Sequence, residues 1–256
     1  MEKWLISTRS ALIWTHSAEA ELKYPVRSCD QDWFRLIPSR FPIIDVYERF
    51  GSEELRTAAK ELEGLTNPRL AAIANEPAAV SGANVATHQY QNWNHAPFVY
   101  KNPEGTWFAG PPYGVLEVAG DHRSALALAL LRREAFLSRT DEAPINLEMR
   151  MLSTRITGSF VDLTALDRNL SEAERWAIGQ QLYDDGTAGV IFQRPHFASQ
   201  RFLGAFDGSV LGRSVQGSHY KFLWDGKTIK SVYDFTDGTE ILRAELLHAA
   251  RSKDAA

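Results

Sequence analysis

The chain has 256 residues, of which 44% are hydrophobic and 23% charged, and its formal net charge is −4. These proportions indicate a globular protein and exclude a disordered one. A pI near 6.0 argues against a nucleic-acid or anionic-membrane surface, because such polyanions are bound through basic patches and no Lys/Arg cluster stands out.

The first half of the chain predicts a strand, a helix and a long loop. The strand covers residues 33–38 and leads into an extended turn. A helix is predicted from Ser52 to the residue before Gly64, because the segment is amphipathic, Ser52 can act as its N-cap and two glutamates follow in the first turn. Residues 71–110 are polar and lack periodicity over more than the roughly 12–15 residues of an ordinary loop, which is typical of a functional loop or binding wall.

The second half predicts two further helices among short strands. Residues 121–139 predict a helix whose apolar positions cover much of its circumference, so we expect it to be well buried. Another helix begins at the capping-box pair Ser171 and Glu174 and ends at Gly186. Strands are predicted at residues 113–120, 146–156, 159–164, 188–194, 202–208, 219–226 and 230–235, the last two joined by an Asp225-Gly226 turn.

The order of these elements predicts the fold class. Strands and helices are mixed without strict βαβ alternation, which favours an α+β fold with a mixed, largely antiparallel sheet and flanking helices. No repeat, low-complexity tract or long linker divides the sequence. We therefore assign residues 33–256 to one domain and expect residues 1–32 to form an N-terminal extension packed on it.

The cysteine and histidine content and the lengths of the apolar segments indicate whether the protein holds a metal and where in the cell it is found. The single cysteine, Cys29, can form neither an intramolecular disulfide nor a multi-thiolate site, which favours a reducing compartment. His88 and His95 have no carboxylate to complete a ligand set, so we predict no metal site. No signal peptide is visible in residues 1–11, and no window approaches the roughly 18 apolar residues of a membrane span. We expect a cytoplasmic protein.

Six segments, in order and at compatible spacing, resemble a subgroup of the RES-domain family. They are "WFRLIPSRFPIIDVYERF", "LTNPRL", "NPEGTWF" with the following "YGV", "RREAFL", "LEMR" and "VQGSHYKFLWDG". The resemblance implies an ADP-ribosyltransferase-like fold with a cleft for NAD, whose ribosyl bond the family's members cleave or whose ADP-ribose they transfer. It implies NAD as a substrate, with no tightly bound cofactor. Many members are toxins whose cleft is blocked by a helix-turn-helix antitoxin. The resemblance therefore implies such an antitoxin as a possible partner of this chain.

The family's chemistry uses an arginine, a tyrosine about ten residues later and a glutamate about eleven residues after that. The glutamate stabilises the positive charge that develops at the anomeric carbon as nicotinamide leaves. In this chain the residues at the same spacing are Trp107, Glu117 and Leu128, in place of the arginine, the tyrosine and the glutamate, so all three positions are substituted. A leucine supplies no charge, and losing that interaction typically costs roughly 10²–10⁴-fold in rate. The ordinary family reaction is therefore not expected.

Three functional hypotheses follow from these substitutions. In the first, a divergent enzyme binds NAD or a related nucleotide and cleaves or transfers at the ribosyl bond. Its catalytic residues are Glu117 as the remaining carboxylate and Arg194, which falls near the family's serine, as the replacement cation. In the second, a catalytically silent homologue binds a ligand or a protein partner; in the third, a biosynthetic enzyme uses another substrate. Glu117 can alternatively be an exposed polar residue on the open face of a strand.

Four other residues are candidates for nucleotide binding. Trp107 can stack on a base or nicotinamide ring, or it can pack in the core. Arg35 and Arg40 can contact phosphate oxygens, or they can instead fix the preceding turn through ion pairs. Tyr113 begins the matched "YGV" segment and completes the predicted binding set.

Overall fold

The computed structural model of the chain describes residues 24–39, 92–99, 101–197 and 200–251, together with Ser52, Glu54, Leu55, Ala58 and Leu62. Its strands are β1 (Val26–Pro38), β2 (Leu116–Ala119), β3 (Ile145–Asp162), β4 (Gly189–Phe192), β5 (Phe202–Ala205), β6 (Leu211–Trp224), β7 (Ile229–Asp234) and β8 (Thr239–Leu242). Its helices are α1 (Asn92–Val99), α2 (His122–Leu137), α3 (Glu172–Asp184) and α4 (Arg243–Arg251), with a 3-10 turn at Gly208–Val210. The α+β class and the mixed, mostly antiparallel sheet are as the sequence predicts.

Five of the strands close into a ring. Strand β1 pairs antiparallel with β3 along its whole length and with β2 at Phe34 and Ala119. Strand β2 pairs with β5, β5 with β4, and β4 in parallel with the end of β3. Strands β6, β7 and β8 then extend the sheet from β3. Because successive side chains point to opposite faces of a strand, the ring has an inner and an outer face.

Each face of the ring has its own hydrophobic core. Apolar side chains from all five ring strands form one buried cluster that fills the ring, and Phe98 of α1 packs on it. Its largest members from the strands include Trp33, Leu116, Phe160, Ile191 and Leu203. The outer face carries a larger core under α2, α3 and α4. The outer face is where the polar pocket described below interrupts the apolar packing.

Helices α2 and α3 form where the sequence predicts them, and the capping box predicted for α3 is present. Asp121 is the N-cap of α2 and its side chain accepts from the backbone N–H of Ser124. Ser171 and Glu174 form the full capping box of α3. Each cap satisfies N–H groups that the first helical turn leaves without a partner. At Leu55 the backbone N–H donates to Ser52 Oγ at 3.2 Å, as expected of the predicted cap there.

The prediction of a continuous loop over residues 71–110 is wrong at α1. This helix of eight residues contains Pro97, and a helix so short is marginal without tertiary contacts. The contacts come from Asn94, which is fully buried, donates to the carbonyl of Gly212 and accepts from Ser214 Oγ at 2.6 Å. Distant partners therefore stabilise α1.

The strand predictions also needed tertiary information. The segments predicted at 146–156 and 159–164 are one strand, because β1 pairs through Gly158 without interruption. Strand β6 begins at Leu211, well before residue 219, and β8 and α4 were not predicted. Strand β1 begins at Val26 and crosses the boundary predicted between residues 32 and 33. None of the helices in the described ranges has the length and apolar character to cross a bilayer.

Candidate functional site

A pocket of about 520 Å³, here called the main pocket, lies on the outer face beside β1, β2 and α2. This volume falls in the range of small-molecule sites. The structure brings together there the described candidates from the sequence: Arg35, Trp107, Tyr113, Glu117 and Arg194 all line it. The remaining candidate, Arg40, lies outside the described residues.

The turn that carries Trp107 is shaped by Gly105. This glycine has a φ of 69°, in the left-handed region that favours glycine, and a Cβ there would lie 2.7 Å from the carbonyl oxygen of Ala109. The indole N–H of Trp176 in α3 donates to the carbonyl of Thr106 at 2.9 Å. Together these features fix the direction in which the chain enters Trp107.

Close packing of α3 fixes the other side of the turn. Gly179 lies so close to Phe108 that an added Cβ would be 1.4 Å from the Phe108 carbonyl oxygen. From the first turn of α3, Arg175 donates through Nε to the carbonyl of Trp107 at 3.2 Å. The Arg175 guanidinium carbon is 3.7 Å from the centroid of the Trp107 ring and that of Arg194 is 4.6 Å away, both within cation–π range. Trp107 is thus a half-buried ring in contact with two cations.

Glu117 is the centre of an ion-pair network on β2. Its side chain is 2% exposed, so the expectation of an exposed strand residue is wrong. Arg194 Nη2 donates to Oε1, and Arg132 Nη2 donates to Oε2 at 2.7 Å. The backbone N–H of Trp107 lies 3.4 Å from the same Oε2. A buried glutamate requires such partners, and α2, the Trp107 turn and the segment after β4 supply them.

Electrostatics keep this carboxylate ionised. Burial alone would raise the pKa of Glu117, but the guanidiniums of Arg132 and Arg194 outweigh it and hold the pKa at about 2. Burial lowers the pKa of Arg194, and the attraction of Glu117 opposes that shift. The three side chains together carry one net positive charge at neutral pH. The network therefore offers a cationic surface to a ligand.

Leu128 stands one helical turn before Arg132 on the same face of α2 and lines the main pocket. Its side chain is almost completely buried, which leaves no charged group at this position of the wall. The two arginines that sequence analysis missed, Arg132 and Arg175, follow Leu128 and the Ser171 cap by four residues each. That helical spacing is the signal by which they could have been found.

The lining as a whole is cationic. Five arginines and three glutamates line the main pocket, an excess of two positive charges: Arg35, Arg132, Arg133, Arg175, Arg194, Glu104, Glu117 and Glu172. Burial lowers the pKa of Arg35 to about 10, which leaves it charged at neutral pH. No three His, Cys, Asp or Glu side chains of the described ranges gather as a metal site would require. An anionic organic molecule is the ligand class that fits this lining.

Nε of Arg194 is a buried donor without an acceptor among the described residues, although Nη2 of the same side chain is engaged by Glu117. A buried N–H without a partner is costly, and native proteins rarely keep one. A ligand oxygen placed beside Arg194 would satisfy it.

Known proteins show similarity over most of the chain. A family model described as the RES domain matches residues 82–225, which is more than half of the sequence. A Sinorhizobium fredii (strain NBRC 101917 / NGR234) protein described as "Uncharacterized protein y4oC" is 42% identical over 219 residues, covering 86% of this chain and 94% of the relative. A chain in the crystal structure of the M. tuberculosis MbcT–MbcA toxin–antitoxin complex aligns over 75% of this chain and 86% of that chain, with 12% identity and a TM-score of 0.39.

Proposed function

The chain belongs to the RES-domain family, and on that premise we propose that its main pocket binds NAD or a related nucleotide without performing the family's ordinary cleavage. The observation that supports this best is the pair Arg132 and Arg194, held by Glu117 beside the Trp107 ring in one pocket. Guanidinium groups bind phosphate oxygens in bidentate geometry, so the two arginines suit the phosphates of a nucleotide. The unsatisfied Nε of Arg194 adds a donor for the same anion.

The absence of ordinary turnover follows from charge. Cleavage of the ribosyl bond develops positive charge on the sugar, which a free carboxylate would stabilise. Both oxygens of Glu117 already accept from arginines, and the network is positive overall. Leu128 lines the same pocket and contributes no charge. Of the hypotheses drawn from the sequence, the geometry thus favours the catalytically silent homologue.

A divergent enzyme is the second candidate, and one observation favours it. Glu117 keeps its negative charge down to a pH of about 2 and lines the pocket. If the phosphates of a bound nucleotide drew Arg132 and Arg194 away, the carboxylate would become available to the ribose. In that case purified protein consumes NAD, and Glu117→Gln abolishes the consumption.

Calorimetric titration with NAD tests the binding proposal. We expect wild-type protein to bind NAD, and Arg132→Gln and Arg194→Gln each to weaken binding by about tenfold or more, since each removes a charge-assisted contact. Arg155→Gln is the matched control, because Arg155 is an exposed arginine on β3 outside the pocket. Absence of NAD binding, or an equal loss in the control, would refute the proposal.

A helix-turn-helix antitoxin that covers the pocket is the protein partner proposed by analogy with the family.

Induction of the protein alone in cells separates the silent homologue from the divergent enzyme, because an NAD-consuming enzyme stops growth and a silent homologue does not. Growth arrest by wild-type protein, together with NAD consumption by the purified protein, would establish the divergent enzyme. The biosynthetic hypothesis predicts instead that neither NAD binding nor growth arrest is seen.

A further inference from the structure

A second cavity of about 190 Å³, here called the side cavity, adjoins the main pocket. The two share Trp107, Leu128, Arg132, Ala135 and Arg194 in their linings. The arginines joined by Glu117 therefore lie where one space meets the other. A ligand anion bound at these arginines would have the side cavity within reach.

The side cavity is lined almost wholly by carbon. Leu128 and Phe197 are buried, and Leu131 is half-buried. The Nη2 atoms of the two arginines point to Glu117, which leaves their aliphatic stems for contact with a ligand. Among the described residues, the polar side chains that line the side cavity are these two arginines, the indole of Trp107 and His196. His196 is exposed.

We propose that the side cavity takes an apolar ring or short alkyl group of the ligand whose anionic part lies against Arg132 and Arg194. An engineered apolar cavity of roughly 150 Å³ binds benzene, so the side cavity has room for one such ring. The inference rests on the proposed anion site of the main pocket. It adds that, among nucleotides and other organic phosphates, the protein prefers those that carry an apolar substituent, and that Leu128 and Leu131 determine this preference.

Leu128 stands where the family carries its glutamate, and this substitution suits an apolar ligand group. A carboxylate at residue 128 would have to be desolvated beside an apolar group, which is unfavourable. Leucine gives the wall shared by the two spaces an apolar surface instead. The polar carboxamide of nicotinamide would find few partners in the side cavity, whereas a phenyl or alkyl group requires none.

Calorimetric titration with phenyl phosphate and with inorganic phosphate tests this inference. We expect wild-type protein to bind phenyl phosphate about tenfold tighter than inorganic phosphate, because the ring leaves water. Leu131→Asn, which makes a wall of the side cavity alone polar, should remove that preference and leave phosphate affinity unchanged. Ala135→Leu, which fills the space shared with the main pocket, should remove the preference as well. Leu242→Asn on the exposed edge strand β8 is the control and should keep the preference.

Two outcomes would overturn the inference: equal affinity for the two phosphates in wild-type protein, or a preference that survives both cavity variants. A parallel titration with NAD separates this result from the proposed function. NAD binding without a preference for phenyl phosphate would overturn the side-cavity inference alone. A preference that depends on Leu131 and Ala135, without NAD binding, would overturn the NAD proposal and leave the side cavity established.

Discussion

Arg194 Nη2 donates a hydrogen bond to Oε1 of Glu117, joining the segment after β4 to the middle of β2. Both side chains are largely withdrawn from water, with 13% of Arg194 and 2% of Glu117 exposed. At the position where the family carries a tyrosine hydroxyl, this chain therefore carries a charge that orients arginines. The replacement of a hydroxyl by this buried carboxylate affects stability, its pH dependence and activity.

Glu117→Gln should lower the free energy of unfolding by roughly 3–5 kcal/mol, because it leaves the buried guanidinium of Arg194 without a counter-charge. Urea denaturation at neutral pH measures the change. Glu172→Gln is the matched control, since Glu172 lines the same pocket but is exposed. A loss no larger than that of the control would contradict a structural role for the network.

The same carboxylate predicts a pH dependence. Its pKa is about 2 in the folded protein against an ordinary 4.5, so its stabilising contribution is complete above pH 4.5 and is lost as the pH falls towards 2. The shift corresponds to roughly 3 kcal/mol. The difference in unfolding free energy between wild-type protein and Glu117→Gln should therefore shrink between pH 5 and pH 2. Urea denaturation at several pH values measures it, and a constant difference would argue against the depressed pKa.

Gly179→Ala should destabilise the protein by about 1–3 kcal/mol, since a Cβ at this position would lie 1.4 Å from the Phe108 carbonyl oxygen and the Trp107 turn must move. In a helix without this contact, the same change stabilises by roughly 1 kcal/mol. The sign of the effect in thermal or chemical unfolding is therefore the measurement. Gln181→Ala, at an exposed position two residues further along α3, should be nearly neutral.

The combined variant Trp107→Arg, Glu117→Tyr and Leu128→Glu restores the residue types of the family at the matched spacing. We expect it to consume NAD about 10²-fold faster than the same variant with Gln at residue 128, because a carboxylate on α2 can stabilise the developing positive charge. Chromatographic assay of NAD measures the rate. The same variant with Gln in place of Glu at residue 128 is the control. If this variant folds and binds NAD but consumes it no faster than the control, these three positions do not explain an absence of NAD cleavage.

Elements with local determinants could be predicted from sequence, and the others could not. Helices α2 and α3 are capped by Asp121 and Ser171, whose partners lie three residues away, so the signal is contained in the helix itself. Helix α1 depends on Asn94, whose partners Gly212 and Ser214 lie 118 and 120 residues away. No local pattern reports such contacts, and propensity alone disfavours a helix that contains Pro97.

The sequence by itself determined the family, the fold class and the substitution of Trp107, Glu117 and Leu128 at the spacing of the catalytic residues. Only the tertiary structure decided what Glu117 does there. Its partners Arg132 and Arg194 are 15 and 77 residues away, and the closing of the ring with the packing of α2 brings them together. The physical reason is that burial makes an isolated carboxylate too costly, so its role depends on which cations the fold places beside it.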